Sequence, residues 1–414
     1  MKNMILIFSG LVMMIPQLFA GDPPGKIEKK AEIIHKAVFT IDSHNDTPSL
    51  MLQEGFDMNQ RHDPVRDHSR VDFVRMKEGG LDAAFFAVFV SQGARTPEGY
   101  EKAGKHALQQ FDSINAVVGR YPEIAGLACR AADGIRLKKE NKRAVFIGIE
   151  NGYAIGKDLS LLSTYFLKGT RYITLCHTRN NDICDSSTDT IGYGGISAFG
   201  KEVVKEMNRL GIMIDISHAS DKSFYDVLSL SKLPVIASHS CARALCDNPR
   251  NLNDEMLKAL AKNGGVVQMC ILSDYVRKPD PNPGRDSARN AIRKKYHGFS
   301  DLSREDMKNA NREWYEMDEK YPQKEATVSD VVDHIDHIVR VAGIRHVGIG
   351  TDFDGGGGVE GCEDVSQMGN ITLELVKRGY TRNDIRKIWG GNLMRVLAAN
   401  EKYASGFKKQ CGCH

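Results

Sequence analysis

Eight short runs rich in β-branched and aromatic residues recur along the chain, each apolar throughout rather than at alternate positions. They are Ala37–Asp42, Ala83–Val90, Ala144–Ile149, Tyr172–Leu175, Ile212–Ile216, Val235–Ala237, Gly265–Met269 and His346–Gly350. A strand covered on one face alternates apolar with polar, whereas a continuously apolar run fits a strand covered on both, as in a parallel sheet. Helical patterns lie between the runs. Phe199, Val203, Val204, Met207 and Leu210 make one stripe before the fifth, and Val331, Ile335, Ile338 and Val339 another before the eighth. Asp221 reads as the N-cap of the helix after the fifth run. Eight strands alternating with helices predict an α/β chain with a (β/α)8 TIM-like barrel rather than an open sheet.

A barrel of this kind takes most of a 414-residue chain as one domain, here residues 21–414. The stretch before it differs. Lys2 precedes an apolar run from Met4 to Phe19, followed by Ala20, Gly21 and a proline-rich polar stretch. This reads as a signal peptide over residues 1–20, which predicts an exported protein, periplasmic or secreted. The run is short and interrupted for a membrane span. No stable membrane anchor is expected after cleavage. Residues 279–323 do not fit the alternation and read as a helical insertion between the seventh and eighth strands, with a lid over the barrel mouth as one role.

Lys plus Arg number 56 and Asp plus Glu 53, a net charge of +3 that gives no footprint for nucleic acid. The nine cysteines are odd in number and dispersed, unlike a disulfide framework. The tail residues Cys411, Cys413 and His414 read as a frayed end rather than a metal site. There is no G-x-S-x-G elbow, phosphate loop or H-E-x-x-H pair.

Chemistry collects where the strands end. The first run leads into His44 and Asp46, the third into Glu150, the fourth into His177, the fifth into His218, the sixth into His239 and the eighth into Asp352. In a parallel barrel these ends share one rim, where catalytic residues sit. His44 and Asp46, two apart on extended chain, project to one face and can reach one cation. Glu150 follows the apolar run AVFIGI, where an unpaired carboxylate is costly to bury. A metal neutralises it, and its two oxygens can bridge two ions. His218 and His239 follow neighbouring strands and can ligate one ion together. Five ligands exceed what one catalytic zinc needs. Two ions sharing Glu150 use all five and leave space for a bridging hydroxide.

His177 and Asp352 then remain for other work. Asp352 can take a proton from that hydroxide and return it to a leaving amine. His177 can donate to an oxyanion. Either residue can instead be a further ligand or a group that orients one.

Six segments, IDSHNDTP, GIENG, LCHTRN, DISHAS, ASHSCAR and GIGTDFDGG, resemble in that order the motifs of the renal (membrane) dipeptidases, a family of zinc metallopeptidases. The resemblance runs from Ala37 to Ala399. It implies a metal-dependent amidohydrolase-type barrel with two zinc ions, His44 and Asp46 on the first, His218 and His239 on the second, and Glu150 bridging them. It further implies that His177 contacts the substrate and polarises the carbonyl, and that Asp352 is the acid/base and meets the free amine. Arg250, which composition and spacing leave as one arginine among many, would pair with the terminal carboxylate. Cys246 falls where the family has a disulfide cysteine, but no partner is placed for it. Many members are homodimers.

The reading is therefore a zinc-dependent dipeptidase acting on small dipeptides, including those with a C-terminal D-residue. Two alternatives stand beside it. One is an amidohydrolase-type barrel acting on another amide or a lactone. The other is a non-catalytic metal- or ligand-binding barrel.

Overall fold

The computed structural model describes residues 25–411, apart from residues 65, 300, 301 and 303. The expected signal peptide, and Cys413 and His414 of the tail, lie outside the described residues.

Among the described residues there are nine strands: β1 Ile41–Asn45, β2 Ala83–Phe89, β3 Ala125–Leu127, β4 Arg143–Glu150, β5 Thr170–Thr174, β6 Met213–Asp215, β7 Ile236–Ser240, β8 Val266–Met269 and β9 Val347–Ile349. Eight pair in parallel in the order β1-β2-β4-β5-β6-β7-β8-β9. The loop after β9 returns to β1: Asp352 N donates to His44 O at 3.0 Å, and Asp46 N to Phe353 O at 2.9 Å. These bonds join the first and last strands, giving the expected (β/α)8 TIM-like barrel with helices between the strands.

The expected strands are all found, with shifted ends. Ala37 closes the helix Lys26–Ala37, so the first strand starts later and contains His44 rather than preceding it. His239 likewise lies inside β7. The short β3, which pairs with β4, has no counterpart among the expected runs; its AGL holds no β-branched or aromatic residue. Asp221 is not the N-cap. Ser220 takes that place with extended backbone, its hydroxyl accepting from Ser223 N, while the Asp221 carboxylate turns out to Arg243 at 2.7 Å.

Residue parity divides the barrel into two apolar layers. Phe85, Phe146, Tyr172, Met213, Ile236 and Val266 fill the interior, and the helix Asn392–Cys411 closes its lower end with Leu393, Val396 and Leu397. Phe86, Val145, Ile147, Ile173, Ile214 and Val267 face the helices. Both faces being covered is why the runs are continuously apolar. On β4 the interior positions 144, 146 and 148 lead by the same parity to Glu150. Glycine at 148 is required, because a Cβ there would lie 2.1 Å from the Tyr172 ring.

Within the expected insertion, 279–323, the chain forms two α-helices, Pro283–Lys295 and Arg304–Lys320, packed on each other through Ile292, Tyr296, Ala310 and Met317. This apolar cluster is separate from the barrel core.

Candidate active site and metal centre

Seven of the eight residues singled out from the sequence converge at the upper end of the barrel around Glu150. Oε1 of Glu150 lies 3.0 Å from His218 Nε2, 3.4 Å from His239 Nε2 and 3.9 Å from His177 Nε2. Its other oxygen, Oε2, lies 3.6 Å from His44 Nε2. His44 Nε2 is also 3.6 Å from Asp46 Oδ2 and 3.9 Å from Asp352 Oδ1. The two oxygens of one carboxylate thus face two different groups of donors.

Local backbone features produce this convergence. The β1 ladder is irregular between Asp42 and Asn45, and the β7 ladder between Ala237 and Ser240. Such irregularities re-aim side chains next to active sites, and here they bring His44 and His239 inward together with Ser43 and Ser238. Asp46 is not on extended chain as expected. Its φ of −96° and ψ of 16° begin the short helix Thr47–Leu50, and the β1 bulge restores the shared face. His218 and Asp352 occupy the left-handed region at φ 68° and 61°, an arrangement that clusters at functional sites. Gly355 must be glycine, since a Cβ would lie 2.0 Å from Asp46 Oδ2 and 2.7 Å from Asp352 Oδ1.

The donor atoms fit one or more cations. His44 Nε2 and Asp46 Oδ1 are buried without a hydrogen-bond partner, a costly state that a bound ion relieves. His218 Nε2 and His239 Nε2 stand 2.9 Å apart, close enough to share one proton or one ion. Three overlapping sets of donor atoms are compact enough for a metal: His44, Glu150 and His239; Glu150, His177 and His218; and His44, Asp46 and Asp352. His177 and Asp352 therefore stand within ligand reach, so the alternatives left open for them persist in the geometry.

Electrostatics agree with a cation site. Burial, reinforced by Arg250 for His218 and by His44 for His239, holds both imidazoles well below their ordinary value. They are neutral, the form that ligates. Burial pushes the Asp352 carboxyl up to about 8 against the opposing pull of His44, and burial with Glu150 raises Asp46 to about 6. Burial disfavours a charged Glu150, yet four surrounding histidines hold it well below the usual carboxylate range.

Arg250 is the eighth residue. It is buried, its Nη2 donates to His239 O at 3.1 Å, and its guanidinium lies 5.3 Å from the Tyr275 ring centre. Its Nε is buried without a partner. A guanidinium fork held this way is suited to a carboxylate.

Sequence reasoning missed the groups behind the ligands. Tyr172 OH lies 2.8 Å from His44 Nδ1. Ser238 Oγ lies 2.8 Å from His239 Nδ1 and donates to Asp215 Oδ2 at 2.6 Å. Supports of this kind fix ring orientation and ligand basicity. Asp215 carried a usable signal, a carboxylate inside the apolar run IMIDI; Tyr172 carried none beyond its place in a strand. Cys246 is free, its Sγ pointing to Asp274 O at 3.6 Å, and Cys129, Cys176, Cys184, Cys241, Cys270 and Cys362 are unbridged as well.

Residues 28–410 match the family described as Membrane dipeptidase (Peptidase family M19). Dipeptidase 3 of Macaca fascicularis is 32% identical over 91% of this chain and 68% of its own. Dipeptidase tcpJ of Claviceps purpurea is 31% identical over 89% of this chain and 78% of its own. Among solved structures, the probable dipeptidase PvdM from Pseudomonas aeruginosa superposes with a TM-score of 0.80 at 31% identity, covering 92% of this chain and 100% of that one. A metallopeptidase from Rhodobacter sphaeroides, liganded with a phosphinate mimic of L-Ala-D-Ala, is alike in fold with a TM-score of 0.69 at 22% identity, over 88% of this chain and 99% of its own.

Proposed function

The chain belongs to the membrane dipeptidase family of metallopeptidases, and from that premise we propose that it is an exported, two-zinc hydrolase of small dipeptides. The observation that carries the proposal is the division of Glu150: Oε1 toward His218 and His239, Oε2 toward His44. In this reading His44 and Asp46 would hold one zinc and His218 and His239 the other, with Glu150 shared between the two sites. Ions held there would supply Lewis-acid chemistry, activating a water and polarising the scissile carbonyl.

The chain's own residues do the rest. Arg250 receives the substrate's terminal carboxylate through its free Nε and fork. Asp352, buried beside His44 at 3.9 Å, is placed to take a proton and pass it to the departing amine. The same group meets the free amino end. His177, opposite Glu150 and edge-on to Phe89, donates to the oxygen of the reacting carbonyl. Two charged substrate ends read by fixed groups favour a dipeptide over longer peptides. The phosphinate mimic of L-Ala-D-Ala held by the Rhodobacter protein supports a D-residue at the C-terminal position. The Lys2-led apolar run supports export to the periplasm or medium.

The test is amino-acid release from L-Ala-D-Ala by zinc-loaded protein starting at Gly21. The expected result is turnover abolished by a chelator and restored by zinc. Turnover insensitive to metal removal contradicts it.

A further inference from the structure

The insertion leaves the barrel after β8 and makes contacts with loops from other strands. Near its root Arg289 Nη1 pairs with Asp274 Oδ2 at 3.6 Å, in the short helix that follows β8. At the end of its first helix, a Cβ on Gly298 would lie 3.6 Å from Arg179 Nη2, in the loop after β5. β5 is three places from β8 in the eight-strand ring, close to the opposite wall. From its second helix, Tyr315 stacks on His68 with ring centres 3.8 Å apart and planes 8° from parallel. His68 lies in the segment after β1, with a strained φ of 54° and a buried Nδ1 that lacks a partner.

The stack ends close to the reacting groups. Arg70, two residues after His68, donates its backbone N–H to Asp354 Oδ1 at 2.6 Å, and Thr47 donates to Asp354 Oδ2 at 2.7 Å. Thr47 adjoins Asp46, and Asp354 lies two residues beyond Asp352. The hairpin, rooted at β8, thus meets side chains from the loops after β5 and β1, which lie at separate points around the ring. We propose that this helical hairpin is a fixed roof that sets the upper length of the substrate, with Tyr315 on His68 as its specificity-determining contact. The inference rests on the dipeptidase reading: with the carboxylate end at Arg250 and the amine at Asp352, any N-terminal extension must leave beneath the Tyr315–His68 pair.

The hairpin can be tested without dismantling the barrel. Its roots meet, Asn282 Nδ2 donating to Pro322 O at 3.4 Å and Arg285 Nη1 to Tyr321 O at 3.0 Å, and its apolar cluster is its own. Three variants are compared with wild type: Tyr315→Ala, Tyr315→Phe, and a chain with residues 284–321 replaced by two glycines. Two quantities are read: the kcat/KM ratio of L-Ala-L-Ala-L-Ala to L-Ala-L-Ala, and the rate at which dipicolinate strips zinc from loaded protein. The expected result is a ratio at least tenfold higher in Tyr315→Ala and in the excised chain. Dipeptide turnover stays within threefold, and Tyr315→Phe, which keeps the stack, behaves as wild type. Zinc loss should be at least fivefold faster in the excised chain. An unchanged ratio in Tyr315→Ala overturns the roof, and so does equal zinc loss. If wild type cleaves no dipeptide, the functional reading fails by itself, and the zinc-loss rate still decides for or against the roof.

Discussion

Glu150 Oε1 lies 3.0 Å from His218 Nε2, and this contact sets one carboxylate at the boundary between two groups of donors. The other oxygen belongs to the His44 side. Glu150→Gln should therefore affect both ions, whereas His44→Ala and His218→Ala should each weaken one. Metal content per chain, measured by plasma mass spectrometry after dialysis, is expected near two for wild type, near one for each histidine variant and below one for Glu150→Gln. Two ions retained by Glu150→Gln would count against the bridge.

Asp352 is raised to about 8 by burial and stands 3.9 Å from His44 Nε2. If its work is proton transfer, Asp352→Asn keeps both ions and loses kcat by about 10²–10⁴. If it is chiefly a ligand, metal content falls with it. Metal analysis beside single-turnover kinetics separates the two outcomes.

Tyr172 holds His44 through a 2.8 Å contact at Nδ1. Removing such a support from a ligating histidine typically costs 10–100-fold in metal affinity or activity. Tyr172→Phe, which keeps the ring that packs between Phe85 and Gly148, should melt near wild type and bind zinc about 10-fold more weakly. Competition against a zinc indicator measures the change.

Two buried histidines outside the donor cluster make stability depend on pH. His35 Nε2 donates to Gly79 O at 2.9 Å, while its Nδ1 accepts from Thr372, whose hydroxyl oxygen already accepts from Trp389. His334 Nδ1 accepts from Ala242 N at 3.1 Å and its Nε2 donates to Val276 O. Both patterns need a neutral ring, and burial lowers both groups from the ordinary 6.5. The unfolded chain thus binds more protons below pH 6.5. The stabilisation is complete above that value and is lost as pH falls toward the folded-state values, by at most about 1.4 kcal/mol per pH unit for each ring. Urea unfolding of wild type and His35→Gln between pH 5 and 7.5 should show a shallower slope in the variant.

The barrel was legible because parallel strands covered on both faces leave an apolar run at every position, and six of the nine strands run four residues or longer. β3, whose AGL holds no β-branched or aromatic residue, left no such trace. The ligands were legible because Glu150 and His218 lie at or just beyond strand ends that terminate apolar text. The means by which His44 and His239 turn inward were not. Strand parity predicts sides only while the ladder is regular, and both residues sit where it breaks. Arg250 was opaque for another reason: its role depends on a loop folding back over His239, and no local pattern encodes that approach. Tyr172 and Ser238 read as ordinary strand residues until the barrel closed and brought them behind their histidines.

The most direct test compares L-Ala-D-Ala with its C-terminal amide as substrates for the zinc-loaded protein. Arg250, buried with its Nε free and its guanidinium beside Tyr275, is the group that should tell them apart. The account predicts cleavage of the free acid, loss of the amide's turnover by at least 30-fold, and collapse of that preference in Arg250→Met, in line with the roughly 2–5 kcal/mol carried by a buried charge pair. Equal cleavage of acid and amide by the wild-type protein would contradict it.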